Sequence, residues 1–266
     1  MSKASSRDNP GRRDVLRAGI VLSGGYVLTR ILAPGVAFAE YREREIKSPV
    51  KLVGRITYEG DVPKPIMREV TSNADVAGKE PRVWEGLNLG KGKALKDSIV
   101  VVNGVFEGKA PSSEPPLTYV KGAYILPRVG VFFWKPDMSI DFENRDPILH
   151  SWVLRMKADV KENKAHPGGV AKVSMLINDP GLYELQCAPH PWERAFRMGV
   201  AHPYYAKTDE DGRFEIAGLP RGDYTVDIWS EGLSPKRIWM PAYEETITFD
   251  GVFRGNDVAA SLRGQK

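Results

Sequence analysis

The 266-residue sequence predicts an all-β protein built of β-sandwiches, and three observations carry that expectation. Short runs alternate apolar and polar residues, as in Val50 to Tyr58 and Tyr183 to Cys187, which is the period of strands with one buried face. Gly, Pro, Asn and Asp punctuate these runs at the spacing that tight turns need. No stretch after residue 40 sustains a helical apolar period, so helices are not expected to form the core.

With 42% apolar and 27% charged residues the chain can bury one large or two modest cores. Its net charge of +4 raises the question of nucleic acid as a partner. Six of the 38 basic and two of the 34 acidic side chains precede residue 40, which leaves 32 of each. A near-neutral remainder gives no footprint for nucleic acid.

Residues 1–39 read as an address. Gly11-Arg12-Arg13-Asp14-Val15-Leu16 resembles a twin-arginine export signal, followed by an apolar run from Ala18 to Leu28 and an Ala37-Phe38-Ala39 cleavage site. Cleavage is expected after Ala39, with a periplasmic mature chain. Arg30 and Pro34 break the run, which is too short to span a bilayer, so the mature chain is expected to have no stable membrane span. In an oxidising compartment cysteines are usually paired, yet this chain has one. Cys187 is therefore either buried and inert or held by a metal.

In order, residues 40–49 form a charged linker, Val50 to Tyr58 a strand, and Glu59-Gly60-Asp61 its turn. Residues 63–96 show weak patterning, which predicts loops and one short helix. Ser98 to Val102 is a strand entering the Asn103-Gly104 turn, and residues 110–116 form a linker with a boundary near Pro115. Val129 to Trp134 and Met138 to Phe142 are strands separated by Lys135-Pro136-Asp137. A turn-rich loop from Glu143 then delivers His150 to the strand Trp152 to Leu154. Met175 to Asn178 and Tyr183 to Cys187 follow as strands around Asp179-Pro180-Gly181, and residues 206–226 alternate strand and turn.

The chemistry concentrates at Cys187-Ala188-Pro189-His190. A thiol at a strand end with an imidazole three residues later is the half-site of a copper or zinc centre, because both donors can converge on one point. His166, before Pro167-Gly168-Gly169, reads as a solvated loop residue, and His202 as structural. Asp209, Asp211 and Gly212 carry part of a calcium-loop pattern without its distal Glu, and read as hairpin turn formers. Trp134, Trp152, Trp229 and Trp239 read as core or interface aromatics. The chain has no Gly-x-Ser-x-Gly and no phosphate-cradling Gly loop, so an enzyme is the less favoured reading.

Two segments resemble known families. Asn144-Arg145-Asp146-Pro147-Ile148-Leu149-His150 and Cys187-Ala188-Pro189-His190 resemble the ligand loops of the cupredoxin family, which is a Greek-key sandwich. Thr208-Asp209-Glu210-Asp211-Gly212-Arg213-Phe214 is similar to the carboxypeptidase regulatory-like β-sandwich, a prealbumin-type fold. The combination resembles exported plastocyanin-like proteins of the methylamine-utilisation type. It implies a regulatory-like sandwich from residues 47–112 with 203–255 and a cupredoxin-like domain at 116–202.

The resemblance also implies copper as cofactor, a metal set of His150, Cys187 and His190, and one-electron transfer or copper handling with a periplasmic redox partner protein. Where that group carries an axial Met, this chain has Glu193, with Met198 the next Met downstream and expected on the next strand. The axial position is thus open between Glu193, Met198 and no ligand. Ser151 is expected to orient the first loop or donate toward the sulfur, and Asn144 or Asp146 to tie the ligand loops together. Pro189, Pro191 and Trp192 would offer an apolar docking patch. The rival reading is a metal-free binding or accessory subunit of an exported redox complex.

Overall fold

The computed structural model describes residues 40–111, 115 and 117–263, so the expected export signal lies outside the described residues. The fold class is the expected one. Strands build nearly all of the regular structure, and the α-helical part of the described residues is the four-residue turn Ala74–Ala77.

Alternation along Val50–Tyr58 buries Val50, Leu52, Ile56 and Tyr58 on one face. That strand pairs with Arg213–Leu219 on one side, and on the other with Thr246–Thr248 and Gly251–Phe253. A second sheet runs in the order Tyr205–Lys207, Ile99–Asn103, Gly222–Trp229, Lys236–Ala242. The two sheets enclose a core that includes Leu52, Ile56, Val102, Val226, Ile228 and Phe253. Strands from before residue 110 and after residue 203 thus share both sheets. Gly212 (φ +74) closes the turn before Phe214, where the Asp209 Oδ1 accepts the N–H groups of Asp211 and Arg213 at 2.9 and 2.8 Å.

A second sandwich lies between. Its five-stranded sheet runs Asp159–His166, His150–Met156, Gly181–Cys187, Arg194–Val200, Val129–Phe133. Its four-stranded sheet runs Lys172–Ile177, Met138–Asn144, Thr118–Val120, Ile125–Leu126. The core between them includes Phe132, Ile140, Phe142, Trp152, Tyr183 and Leu185. The chain changes sheet after Asn144, His166 and Ile177, which brings the loops before His150 and after Cys187 to the same end.

The two sandwiches pack as one compact unit. Phe196 and Trp229 meet with ring centroids 5.0 Å apart, beside Ile99, Val129 and Met198. The Arg128 Nε donates to Glu231 at 2.7 Å across the same junction. One expectation fails here. The presumed linker at 40–49 contains the short strand Arg42–Glu43, paired parallel to Glu107–Gly108. The Asp159–His166 edge strand has no apolar alternation to announce it. Trp239, read as a core or interface aromatic, lies outside the core, 65% exposed on the edge strand Lys236–Ala242.

Candidate metal centre

Alternation along Gly181–Cys187 buries Tyr183, Leu185 and finally Cys187. Cys187 is opposite Trp152 on the neighbouring strand, which starts at His150. After the strand the chain stays tied to this neighbour, since the Ala188 N–H donates to the Ser151 carbonyl at 2.9 Å. Pro189 and Pro191 then point to solvent, and a turn closed by the Glu193 N–H on the His190 carbonyl (2.9 Å) directs both side chains inward.

The result is one cluster. Candidate donor atoms of His150, Cys187, His190 and Glu193 lie within 4.8 Å of one another, and all four residues are at most 2% exposed. The two Nδ1 atoms are 3.3 Å apart. The Cys187 Sγ is 3.6 Å from the Nδ1 of His150 and 3.4 Å from that of His190. The Glu193 Oε1 is 3.2 and 3.0 Å from the same two nitrogens. Donors held about 2.0–2.3 Å from a common tetrahedral centre lie about 3.3–3.6 Å apart, so the residues present fit a metal ion.

The electrostatics favour a cation. Both Glu193 carboxylate oxygens are buried without a hydrogen-bond partner, although Oε1 is within ion-pair distance of both imidazoles. Distance without hydrogen-bond geometry leaves the carboxylate unsatisfied. Burial, followed by the Glu193 charge, holds the Cys187 thiol far above its ordinary range, while the Ser151 N–H at 3.4 Å opposes this by donating to the sulfur. Deprotonation of the thiol in this pocket therefore calls for a positive charge beside it.

Other groups orient the donors. The His190 Nε2 meets the Oδ1 of Asn73 at 2.9 Å. The His150 Nε2 lies 3.4 Å from the Asp146 carboxylate, which itself accepts the N–H groups of Gly122 and Ala123 at 2.7 and 2.8 Å. The His150 ring stacks on Trp152 at 5.3 Å and 8°. The Trp152 Nε1 in turn donates to the His166 Nδ1 at 3.0 Å, and the His166 Nε2 meets the Val170 carbonyl at 2.6 Å.

No protein-family model and no curated protein matches the chain. Among solved structures it is similar over part of its length to a Cu-containing nitrite reductase from Thermus scotoductus SA-01, at 19% identity and TM-score 0.28. That match covers 35% of this chain and 24% of the reductase, so this chain spans about a quarter of the reductase's length. A purple cupredoxin from Nitrosopumilus maritimus is 15% identical, over 29% of this chain and 82% of that one, with TM-score 0.25. A pseudoazurin from Sinorhizobium meliltoi is 20% identical, over 29% and 61%, with TM-score 0.22.

Several expected roles change. Met198 sits on Arg194–Val200 opposite Leu182, on the sheet face away from Cys187, and packs at the junction with Trp229. His166 is not solvated but fully buried behind Trp152, where burial lowers its pKa. The Ser151 hydroxyl turns to Asn163, and only its backbone N–H reaches the sulfur. The Asn144 Nδ2 donates to the carbonyls of Ile148 and His166, so it ties the His150 loop to the 166–170 loop and not to the Cys187 loop. Trp192 is not part of a surface patch, because Val70, Ala77 and Ala123 cover it. His202 is buried, as a structural role expects.

Asn73 escapes sequence reading altogether. It precedes the helical turn Ala74–Ala77, where an Asn is expected to cap the helix, yet it makes no side-chain cap bond and reaches His190 instead.

Proposed function

We propose that this chain is a periplasmic, cupredoxin-like copper protein that transfers single electrons or handles copper. Its ligands are His150, Cys187 and His190, with Glu193 as the fourth. The observation that carries the reading is the burial of four metal-ligating groups around one point, with both Glu193 oxygens lacking a hydrogen-bond partner. Two imidazoles and a thiolate suit both copper oxidation states, and copper held there supplies one-electron transfer. Glu193 would offer copper a hard oxygen donor in addition to the softer set, which would favour Cu(II) and lower the potential. The proposal includes export of the mature chain past Ala39 and division into a regulatory-like sandwich (residues 47–112 with 203–255) and a cupredoxin-like domain (116–202).

This chain's own residues do the rest. Trp152 and Trp192 pack against the two imidazoles and exclude water, with centroid distances of 5.3 and 5.2 Å. Asp146 faces the outer nitrogen of His150.

The test is an optical and EPR spectrum of the mature chain with Cu(II), beside Cys187→Ser. The expected result is a strong thiolate-to-copper charge-transfer band that the variant lacks. No stoichiometric uptake and no band would retire the copper reading in favour of a metal-free accessory subunit.

Zinc is the second reading, favoured by the Glu193 oxygen, which is as near to the imidazoles as they are to each other. Metal analysis of protein purified from its native compartment separates the two.

A further inference from the structure

We infer that Asn73 is a positioning residue of the centre, supplied from outside the sandwich that carries the ligands. The inference rests on the metal-binding reading of the same cluster.

His190 has two acceptors competing for its ring proton in the neutral imidazole. The Glu193 Oε1 lies 3.0 Å from Nδ1, and the Asn73 Oδ1 lies 2.9 Å from Nε2. A proton on Nδ1 would block the nitrogen that faces Cys187 and His150. With the proton on Nε2, donated to Asn73, the Nδ1 lone pair is free for a metal. Asn73 therefore selects the binding tautomer against the pull of Glu193.

The segment around Asn73 is fixed for this task. Asn73 has φ +48, a left-handed conformation that Asn and Gly tolerate better than other residues. The Ser72 hydroxyl donates to the Pro189 carbonyl at 3.3 Å, beside the ligand loop. Val70 and Ala77 pack on Trp192, whose ring lies 5.2 Å from that of His190. The Arg82 guanidinium stacks over Tyr124 at 3.7 Å, which clamps the end of the segment to the same module. Position 73 thus aims an oxygen at the ring nitrogen of His190 that faces away from the cluster.

The backbone conformation dictates the variants. Asn73→Ala would mix lost acceptor with left-handed strain, whereas Asn73→Gly removes the acceptor alone and Asn73→Asp keeps an acceptor. The first readout is the ¹⁵N–¹H NMR tautomer of His190 in the metal-free mature chain at neutral pH. The expected result is a proton on Nε2 in wild type and Asn73→Asp, and one moved to Nδ1 in Asn73→Gly. The second readout is Cu(II) affinity, expected to fall about 10–100-fold in Asn73→Gly and to be restored in Asn73→Asp, with thermal melts showing all three folded.

A proton on Nδ1 in the wild type, or the same tautomer in all three proteins, would overturn the inference. Failure of the metal reading shows differently. Wild type and Cys187→Ser would then both ignore copper, while the tautomer experiment still reports on Asn73.

Discussion

Replacing Glu193 by Gln tests the logic of the cluster most directly, because it removes a charge and adds a donor without changing shape. In the metal-free chain the carboxylate faces two Nδ1 atoms at 3.0 and 3.2 Å and neither oxygen has a hydrogen-bond partner. A buried polar group left unsatisfied costs about 1–3 kcal/mol, and more when charged. Gln removes the buried unpartnered charge, so the variant is expected to be more stable than wild type in chelator by about 2 kcal/mol. For a chain of this size that is a melting-point rise of about 4–8 °C. With copper the order should reverse, since an amide is a weaker ligand than a carboxylate and the stabilisation from bound metal shrinks with affinity. The assay is a pair of thermal melts followed by circular dichroism, one with chelator and one with excess Cu(II). A variant less stable than wild type in both conditions would refute the claim that Glu193 is unsatisfied until a cation arrives.

Three further outcomes are expected. Burial holds His202 down to about 4, below its usual 6.5, so the folded state binds fewer protons than the unfolded one. Stability should then fall as pH drops from about 6.5 to 4, by about 3 kcal/mol in all, and denaturant melts of His202→Asn, which keeps an acceptor for the Tyr204 N–H, should show a shallower loss. Glu231→Gln leaves the Arg128 guanidinium without its ion partner at the junction of the sandwiches, and should lower stability in urea by about 2 kcal/mol or more. A Cβ at Gly168 would lie 2.2 Å from the Pro147 carbonyl, so Gly168→Ala should push the 145–150 loop outward and weaken copper uptake while leaving most of the circular dichroism signal intact.

Where one face of a strand is buried and the other wet, the sequence is a sufficient guide. Val50–Tyr58 has the bounds that its alternation predicts, and Cys187 is the last inward residue of its strand. Alternation vanishes at the two extremes. Asp159–His166 is an edge strand whose side chains mostly face water, and Arg194–Val200 is buried on both faces, so neither carries a period of two. The approach of His150, Cys187, His190 and Glu193 is legible because three of the four lie within seven residues on one loop. The support around them is not legible. Asn73 is 117 residues from His190 and belongs to a stretch with no pattern of its own. Likewise, His166 reads as exposed from its Pro-Gly-Gly neighbours, and only the pairing of its strand with His150–Met156 turns it behind Trp152.

The energetics weigh against a sandwich that has lost its metal. Four metal-ligating groups facing one another inside a protein need protons or a cation between them. The thiol of Cys187 supplies one proton, and the outer nitrogen of His190 meets an acceptor in Asn73, whereas the His150 Nε2 lies 3.4 Å from Asp146 without a hydrogen bond. With the His190 ring proton drawn outward to Asn73, its inner nitrogen is left as a lone pair beside the Glu193 carboxylate. An ion at the centre would give all four groups, the unpartnered Glu193 oxygens included, one common partner. The outward pull of Asn73 then serves a purpose that a metal-free core would not require, since it leaves the His190 Nδ1 free and aimed at the point where Cys187 and Glu193 converge.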